Sequence, residues 1–376
     1  MASISTLGQF LDQISRLKTQ QQQLGDLSVQ ISSGKKTQKL SGLGSDILRT
    51  SRARVSVNEL TQYSDNIINA NRRINLMQTA LGEIKDQADH ILDGLRTAVQ
   101  EGDFPDFESI QQLTRSVLNF VKDIMNQKDG DRYLFAGGDT SQKPIDEGGL
   151  FEGALGEFVP DETDLTNPPL VASGMIGDWG DGTITTAQFI ASYKAVNETT
   201  LGFSNPLTTN TAGKTIVRVS DVSEFDYTKL ANDPSLREIV RVLSVLQSLP
   251  PVQYAPGALN DPTATTFAAD TAPYPPAEKQ ANFFAVINDL TASLSTAVKD
   301  LTQDQFDLAQ VQAQIKIVKD SNTDQINAFK DIIGEIEDVD TTEASAKILQ
   351  MQTQLQASFQ VTALVSQLTL ANFLSI

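Results

Sequence analysis

Residues 60–98 read LTQYSDNIINANRRINLMQTALGEIKDQADHILDGLRTA and repeat their apolar side chains every seven positions. One heptad position holds Leu60, Ile67, Ile74, Leu81, Ala88 and Leu95, and the other holds Tyr63, Ala70, Met77, Ile84, Ile91 and Ala98. Six uninterrupted heptads are typical of a coiled coil or a long helical bundle. The pattern predicts a helix from about Asp46 to Glu101, ended by Gly102 and Pro105. A shorter helix follows in the prediction, with apolar positions from Phe107 to Ile124 and an end near Gly130.

The two ends of the chain carry the same seven-residue spacing. A helix from about Ser5 to Ser33 is predicted by Phe10, Leu17, Leu24 and Ile31, and Gly34 is suited to end it. A second long helix from about Ala281 is predicted by Ile287, Leu294, Leu301, Leu308, Ile315, Phe329 and Ile336. Asn322 is a polar member of this seam, and Asp304 and Gln325 interrupt it. Residues 338–342, DVDTT, break the helix and supply a cap for the next one.

The last 29 residues, Ile348 to Ile376, contain no charged side chain. At 100° per residue, one face carries Leu355, Phe359, Leu370 and Phe373, and the opposite face carries Val361, Leu364, Val365 and Leu368. A surface helix normally buries one stripe. We therefore predict an assembly helix between the chain's own N-terminal helix and neighbouring subunits; burial inside one domain is the alternative. No membrane insertion is expected, because glutamines interrupt every apolar stretch.

The middle of the chain, residues 139–280, differs in composition and carries a net charge of about −11 by residue count. Its Gly-, Pro- and Thr-rich stretches near residues 167–189 and 213–222 predict strands and turns, and residues 236–249 predict a helix. Trp179 is expected in a turn or as a small core anchor. The predicted fold is mainly α, a long helical bundle formed by both ends with an inserted α+β or β-rich outer domain.

We predict three domains. Residues 1–40 and 341–376 form a terminal coiled-coil assembly domain, and residues 41–140 and 215–340 form a long-helix bundle. Residues 141–214 form the inserted strand-rich outer domain.

Composition excludes several classes of function. A net charge of −18 argues against nucleic-acid binding, which needs Lys and Arg to neutralise phosphate. The absence of cysteine excludes disulfides, thiolate metal sites and cysteine nucleophiles. One histidine, His90, leaves almost no scope for a His-ligated metal or a catalytic triad. We therefore predict no catalytic residue, metal or cofactor. The N-terminal MASISTLGQFLDQIS also lacks the features of a Sec signal peptide.

Three segments resemble the bacterial flagellin family. Leu24 to Asp46, LGDLSVQISSGKKTQKLSGLGSD, is similar to the family's LS-x-x-ISSGKR stretch, although SGLGSD replaces the adjacent aspartates that commonly follow it. Ile336 to Leu374 resembles the family's C-terminal motif. Asp129 to Ile145, DGDRYLFAGGDTSQKPI, resembles the signature of hook–filament junction members through Tyr133, Leu134, Phe135, Ala136 and Gly137.

The resemblance implies a structural protein of the extracellular flagellum, at the junction of hook and filament, exported without a Sec signal by the flagellar type III route. Its terminal helices would fold against neighbours. The implied partners are copies of itself, a neighbouring hook-associated protein, flagellin and an export chaperone. The predicted assembly residues are Phe10, Leu17, Leu24, Ile31, Leu355, Phe359, Leu364 and Leu368. The alternatives are a filament flagellin and a surface module that binds glycans through Trp179, Tyr193, Tyr227 and Tyr254.

Overall fold

A computed structural model describes residues 2–101, 107–146, 154–156, 158–160, 170–172, 174–180, 182–252 and 277–374. The helices are α1 Ala2–Ser33, α2 Ile47–Glu101, α3 Phe107–Met125, α4 Gly174–Gly180, α5 Thr186–Lys194, α6 Asn205–Thr208, α7 Pro234–Ser248, α8 Ala277–Glu337 and α9 Thr341–Leu374. A 3-10 helix spans Leu40–Asp46. The strands are β1 Lys128–Asp129, β2 Arg132–Tyr133, β3 Phe158–Pro160, β4 Leu170–Ala172, β5 Ile216–Arg218 and β6 Glu224–Asp226.

The predicted fold class is confirmed. Long helices come from both ends of the chain, and a small strand-containing insert lies between them. The strands form three antiparallel pairs, β1 with β2, β3 with β4 and β5 with β6. None of the described helices has an 18-residue window that is apolar enough to cross a bilayer.

The chain divides into two compact units, which are described separately. The central unit is Tyr63–Lys319, and the terminal unit is Met1–Gln62 with Asp320–Ile376. This division differs in its boundaries from the three predicted domains, which remain a prediction.

The core of the central unit follows the heptads of α2 and α8. The α2 side chains from Ile67 to Ala98 at both predicted positions are buried, and so are the α8 side chains from Ile287 to Ile315 at the leading position. Helix α3 packs against α7, where the predicted helix at residues 236–249 is found. The apolar spacing therefore identified the faces around which this unit folds.

Asp304, which interrupts the α8 heptads, has a structural role in the central unit. Its carboxylate accepts a hydrogen bond from the Ser235 hydroxyl at 2.5 Å and pairs with the ammonium of Lys229. Both side chains of the Lys229–Asp304 pair are largely buried. The polar interruption therefore ties the start of α7 to α8, a role that heptad spacing alone does not show.

The strand and turn prediction near residues 167–189 is only partly correct. Strand β4 lies there, but helices α4 and α5 follow it. Helix α5 begins with a capping box, in which the Thr185 hydroxyl accepts from the Gln188 amide while the Gln188 side chain accepts from the Thr185 amide. This local motif favours a helix over the strand that the Gly- and Thr-rich composition suggested.

Trp179 lies in α4, not in a turn, and anchors a small aromatic core. Its ring stacks on Phe189 with centroids 4.9 Å apart, and Phe189 meets Tyr193 edge to face at 5.4 Å. The Tyr193 hydroxyl donates to Asp289 on α8 at 2.6 Å. Burial raises the pKa of Tyr193 well above its ordinary value. The alternative prediction of a core anchor is thus the correct one for Trp179.

Candidate assembly surface

The terminal unit is built from α1, α9 and the adjoining parts of α2 and α8. Helix α1 ends at Ser33, and Gly34 follows with φ 71°, a left-handed conformation that glycine adopts at little cost. Asp340 caps α9, because its carboxylate accepts hydrogen bonds from the amides of Thr342 at 2.8 Å and Glu343 at 3.1 Å. The same amide hydrogen bonds lower the pKa of Asp340. Both predicted helix ends are confirmed.

Helices α1 and α9 pack against each other but leave apolar surface uncovered. Leu355 on α9 is 7% exposed, whereas Leu364 is 60% exposed and Phe359 is 50% exposed. The exposed α9 side chains around them include the uncharged Gln352, Gln356 and Gln360. One face of α9 is therefore covered within the chain, and the face bearing Leu364 is not. We use the name outer face for four exposed apolar residues of α9, Leu349, Val361, Leu364 and Phe359, of which Phe359 lies nearer to Leu355 than to Leu364 around the helix.

The predicted assembly residues fall into three groups. Leu17, Leu24 and Ile31 are partly buried on α1, and Leu355 is buried on α9. Phe359 and Leu364 are exposed on the outer face. The side chains of Phe10 and Leu368 lie outside the described residues. Their role in assembly remains a prediction for all eight residues.

The structure adds exposed apolar residues that the heptad analysis did not assign to assembly. On α1 these are Leu11, Ile14 and Val29, and on α9 they are Leu349 and Val361. Their exposure could not be seen from spacing, because a pattern shows which residues share a face but not whether another element covers that face.

The terminal unit also contains a charged contact between distant parts of the sequence, which we call the clasp: residues 33–38 after α1 and residues 334–339 at the end of α8. The Lys36 amide donates to the Glu337 carbonyl at 2.7 Å, and the Val339 amide donates to the Gly34 carbonyl at 2.9 Å. Lys35 and Asp338 form an antiparallel bridge. Two short segments about 300 residues apart are thus joined through their backbones.

Ion pairs reinforce the clasp around Glu337. The Arg54 guanidinium on α2 donates to both carboxylate oxygens, with its Nη2 2.8 Å from Oε1 and 2.7 Å from Oε2. The Lys35 ammonium lies 3.4 Å from Oε2 of Glu337 and 2.6 Å from Oδ1 of Asp338. The Glu337 side chain is 7% exposed, while its two cationic partners are about half exposed. The buried Glu337 carboxylate thus accepts the charge-assisted bonds from Arg54, while Lys35 donates its shorter bond to the exposed Asp338.

The electrostatics of the clasp match this geometry. Hydrogen bonding from Arg54, with a smaller contribution from Lys35, lowers the pKa of Glu337 below its ordinary value. Hydrogen bonding to Asp338 and Glu337 raises the pKa of Lys35. Both shifts favour the charged forms of Glu337 and Lys35.

The YLFAG motif lies in the central unit and packs as core. Leu134, Phe135 and Ala136 are buried, the Leu134 amide donates to the Gln127 carbonyl at 2.9 Å, and the Phe135 carbonyl accepts from the Ala231 amide at 2.9 Å. Gly137 has φ 68°, and a Cβ there would lie 2.7 Å from the Gly213 carbonyl oxygen. These contacts explain why the motif ends in glycine.

Tyr133 completes the motif through polar contacts. The Lys128 ammonium lies 4.4 Å from the centre of the Tyr133 ring. The Tyr133 carbonyl accepts a hydrogen bond from the buried Arg73 guanidinium at 3.0 Å. Burial lowers the pKa of Arg73. The motif thus joins the β1–β2 hairpin to α2 and to the segment before α7, which is a structural role rather than an exposed contact surface.

The described residues do not support the metal-binding or glycan-binding sites that were considered. They contain no group of three His, Cys, Asp or Glu side chains placed to hold a metal ion. Trp179, Tyr193 and Tyr227 are buried, so their faces are not available to stack on a glycan. Tyr254 lies outside the described residues. The glycan-binding alternative therefore loses three of its four proposed contacts.

Comparison with known proteins gives one match in sequence and weaker ones in structure. Residues 291–374 match the family model described as the bacterial flagellin C-terminal helical region. No curated protein sequence matches the chain. One similar solved structure is provisionally described as a flagellar hook-associated protein from Vibrio parahaemolyticus. It shares 12% identity and a TM-score of 0.43, and the likeness covers 79% of this chain and 100% of that one.

The structural likeness is too weak to carry a functional argument, so the sequence match has the greater weight. It covers most of α8 and the whole of α9, including Leu355, Phe359 and Leu364. The C-terminal part of the chain, from the middle of α8 to the end of α9, is therefore similar to the C-terminal helical region of bacterial flagellin.

Proposed function

We propose that this chain is a structural component of the bacterial flagellum that joins hook-side proteins to filament flagellin, as a protein of the hook-associated protein 3 type. It assembles through its terminal helices with copies of itself, with a neighbouring hook-associated protein and with flagellin. It reaches the cell exterior by flagellar export, with an export chaperone holding it before assembly. This role requires no catalysis, and the C-terminal flagellin match supports a non-enzymatic protein.

The observation that carries the proposal is the uncovered outer face of α9. Leu349, Phe359, Val361 and Leu364 are each about half or more exposed, on a helix that has no charged residue after Lys347. A single exposed leucine is ordinary, but repeated exposed apolar residues on a charge-free helix mark an interaction surface. Amide side chains between them can hydrogen bond across helices without the desolvation cost of buried ions.

The junction position rests on the YLFAG motif rather than on the outer face. That motif resembles hook–filament junction members, whereas the outer face would serve a filament flagellin equally well. The two roles differ in what the rest of the filament needs. A junction protein is required before flagellin can attach, whereas one flagellin is a building block of the filament itself.

A deletion strain of the source bacterium separates these roles. We expect cells without this chain to retain hooks, to lack filaments and to release flagellin monomers into the medium. Electron microscopy of the cells and quantification of flagellin in the culture supernatant measure both. Restoring the wild-type chain should restore filaments and label only the hook–filament junction in immunogold imaging.

Two other results would decide against the proposal. Shortened or missing filaments without released flagellin, together with label along the whole filament, would identify a filament flagellin. Normal flagella without the chain, and no label on them, would remove the flagellar role altogether.

A further inference from the structure

The clasp lies at the point where α1 ends and close to the point where α9 begins. Helix α1 ends one residue before Gly34, and α9 begins at Thr341, two residues after Val339. The clasp bonds therefore join the end of α1 to the connection between α8 and α9. Arg54 adds α2 to the same point through Glu337.

Backbone bonds alone are a weak link at this position. The Lys36–Glu337 and Gly34–Val339 hydrogen bonds lie in short irregular segments, and each such bond has a small net effect. Glu337 changes this, because one largely buried carboxylate receives the bidentate guanidinium of Arg54 and lies near the ammonium of Lys35. Removal of this carboxylate would break the contacts of both Arg54 and Lys35 with Glu337, and would leave the Lys35–Asp338 pair and the hydrogen bonds to backbone carbonyls, so we expect the link to weaken most on loss of this residue.

Resting on the proposed assembly role, we propose that Glu337 is a positioning residue, whose ion pairs with Arg54 and Lys35 hold the clasp closed and so fix the points at which α1 and α9 leave α2 and α8. Assembly needs the closed clasp, because the outer face of α9 can meet a neighbouring subunit in only one register if its starting point is fixed. Glu337 touches no partner in this scheme and acts through the clasp.

The surroundings of Glu337 make this assignment specific. Each charged group that faces it comes from a different element: Lys35 follows α1, Arg54 lies on α2, and Asp338 adjoins α8. Lys36 is directed elsewhere, since its ammonium donates to the Glu335 carbonyl at 2.6 Å. Gln30 also supports the turn by donating to the Lys36 carbonyl at 2.8 Å. Glu337 is therefore the carboxylate that is contacted both from α2 and from the segment after α1.

The first test measures the clasp itself in the purified full-length chain. We expect the backbone amides of Lys36 and Val339 to exchange hydrogen about tenfold faster in Glu337→Gln than in the wild type. The glutamine side chain keeps the shape of glutamate but has no charge, so it loses the charge-assisted bonds. Glu343→Gln is the matched control, since Glu343 pairs with Lys347 on the exposed surface of α9 in the same unit. That control should leave both amides unchanged.

A milder variant protects this test against misfolding of Glu337→Gln. Arg54→Gln removes the bidentate donor from a half-exposed position, and it should speed the same two amides. The exchanged pair Arg54→Glu with Glu337→Arg restores an ion pair between α2 and α8 and should recover much of the protection. Unchanged exchange in both single variants, or no recovery in the exchanged pair, would overturn the positioning role.

The second test measures assembly in the source bacterium. We expect Glu337→Gln to be found at least about tenfold less on isolated flagella relative to the amount in the medium, while Glu343→Gln behaves as the wild type. Incorporation of Glu337→Gln at the wild-type level would overturn the inference. Absence of the wild-type chain from flagella would instead contradict the proposed function, while the exchange experiment would still test the clasp.

Discussion

Helix α2 in the central unit and helix α9 in the terminal unit both carry apolar residues at helical spacing, but their burial differs sharply. Ile74 on α2 is fully buried, whereas Leu364 on α9 is 60% exposed. In the central unit, apolar side chains of α2 share one buried cluster with those of α3, α7 and α8, and in the described part of the terminal unit α1 packs against α9. The same pattern therefore completes a core in one unit and leaves a surface for other subunits in the other.

Charge sharpens the difference between these helices. The α2 segment in the central unit carries Lys85, Asp89 and other ionic groups on its outer side, as a helix with a solvated face should. After Lys347, α9 has only Gln, Ser, Thr, Asn and apolar side chains. Charged side chains remain hydrated on a solvated face, but they cost desolvation free energy on a face that becomes buried. The absence of charge on α9 after Lys347 therefore fits burial by a partner.

The largest expected effect comes from truncating one residue in each unit. Ile74→Ala should destabilise the central unit by about 2–5 kcal/mol, because it leaves a cavity in a packed core. Leu364→Ala should change the free energy of unfolding of the free chain by less than about 0.5 kcal/mol. In urea unfolding, the fluorescence of Trp179, the single tryptophan, reports the central unit, and circular dichroism reports the helices of both units. Equal losses in the two variants would contradict the comparison.

Two glycines with left-handed backbones give a smaller effect. Gly137→Ala in the central unit should cost about 1–3 kcal/mol, since a Cβ would meet the Gly213 carbonyl in addition to the unfavourable φ. Gly34→Ala in the terminal unit has φ 71° but open space around its Cβ, so only the conformational cost of about 1–2 kcal/mol applies.

Trp179 fluorescence measures the first glycine variant, and circular dichroism of helix melting measures the second. The comparison predicts a low-temperature helix transition in Gly34→Ala without any change in the Trp179 transition. A shift of the Trp179 transition by Gly34→Ala equal to that by Gly137→Ala would show that the two units do not respond separately.

A change of pH should alter the stability of the two units in opposite directions. We expect this effect to be smaller than those of the core truncation and of the glycine substitutions. The lowered pKa of Glu337 means that its contribution to stability is present above the ordinary value of 4.5 and is lost as the pH falls through the lowered value. Burial raises the pKa of Asp233 in the central unit above its ordinary 3.8. Its contribution is present below that ordinary value and is lost as the pH rises through the raised value.

Hydrogen exchange at successive pH values tests this sign difference. On acidification below the ordinary carboxyl range, the Lys36 and Val339 amides of the clasp should lose protection. As the pH rises from the ordinary 3.8 through the raised value of Asp233, Asp233→Asn should reduce the pH dependence of the Trp179 transition. Loss of clasp protection on raising the pH from 5 to 7 would have the wrong sign for Glu337.

Sequence periodicity predicted the long helices because their core positions recur at a fixed local spacing. Gly34 and Asp340 marked helix ends for equally local reasons, since a left-handed glycine and an N-terminal carboxylate act within one turn. The insert was predicted less well. Its composition suggested strands near Trp179, but the capping box at Thr185 and Gln188 starts a helix there.

The clasp and the partners of Asp304 could not be predicted from spacing. Lys35 and Asp338 are 303 positions apart, and Lys229 and Asp304 are 75 apart. Such pairs depend on how the elements pack, which local pattern does not encode. The outer face was only half predictable: spacing showed that Leu355 and Leu364 lie on different faces, and the structure showed which of the two is covered.

The most direct test of the account compares two aspartate substitutions at exposed apolar positions. Leu364→Asp places a charge on the outer face of α9, and Val222→Asp places one in the exposed β5–β6 turn of the central unit, where Val222 is 94% exposed. Both purified chains should show the wild-type Trp179 unfolding transition. On flagella isolated from the source bacterium, Val222→Asp should be present at the wild-type level and Leu364→Asp should be reduced at least about tenfold, because its charge would be buried without a partner. Incorporation of Leu364→Asp at the wild-type level would contradict the claim that the outer face is an assembly surface.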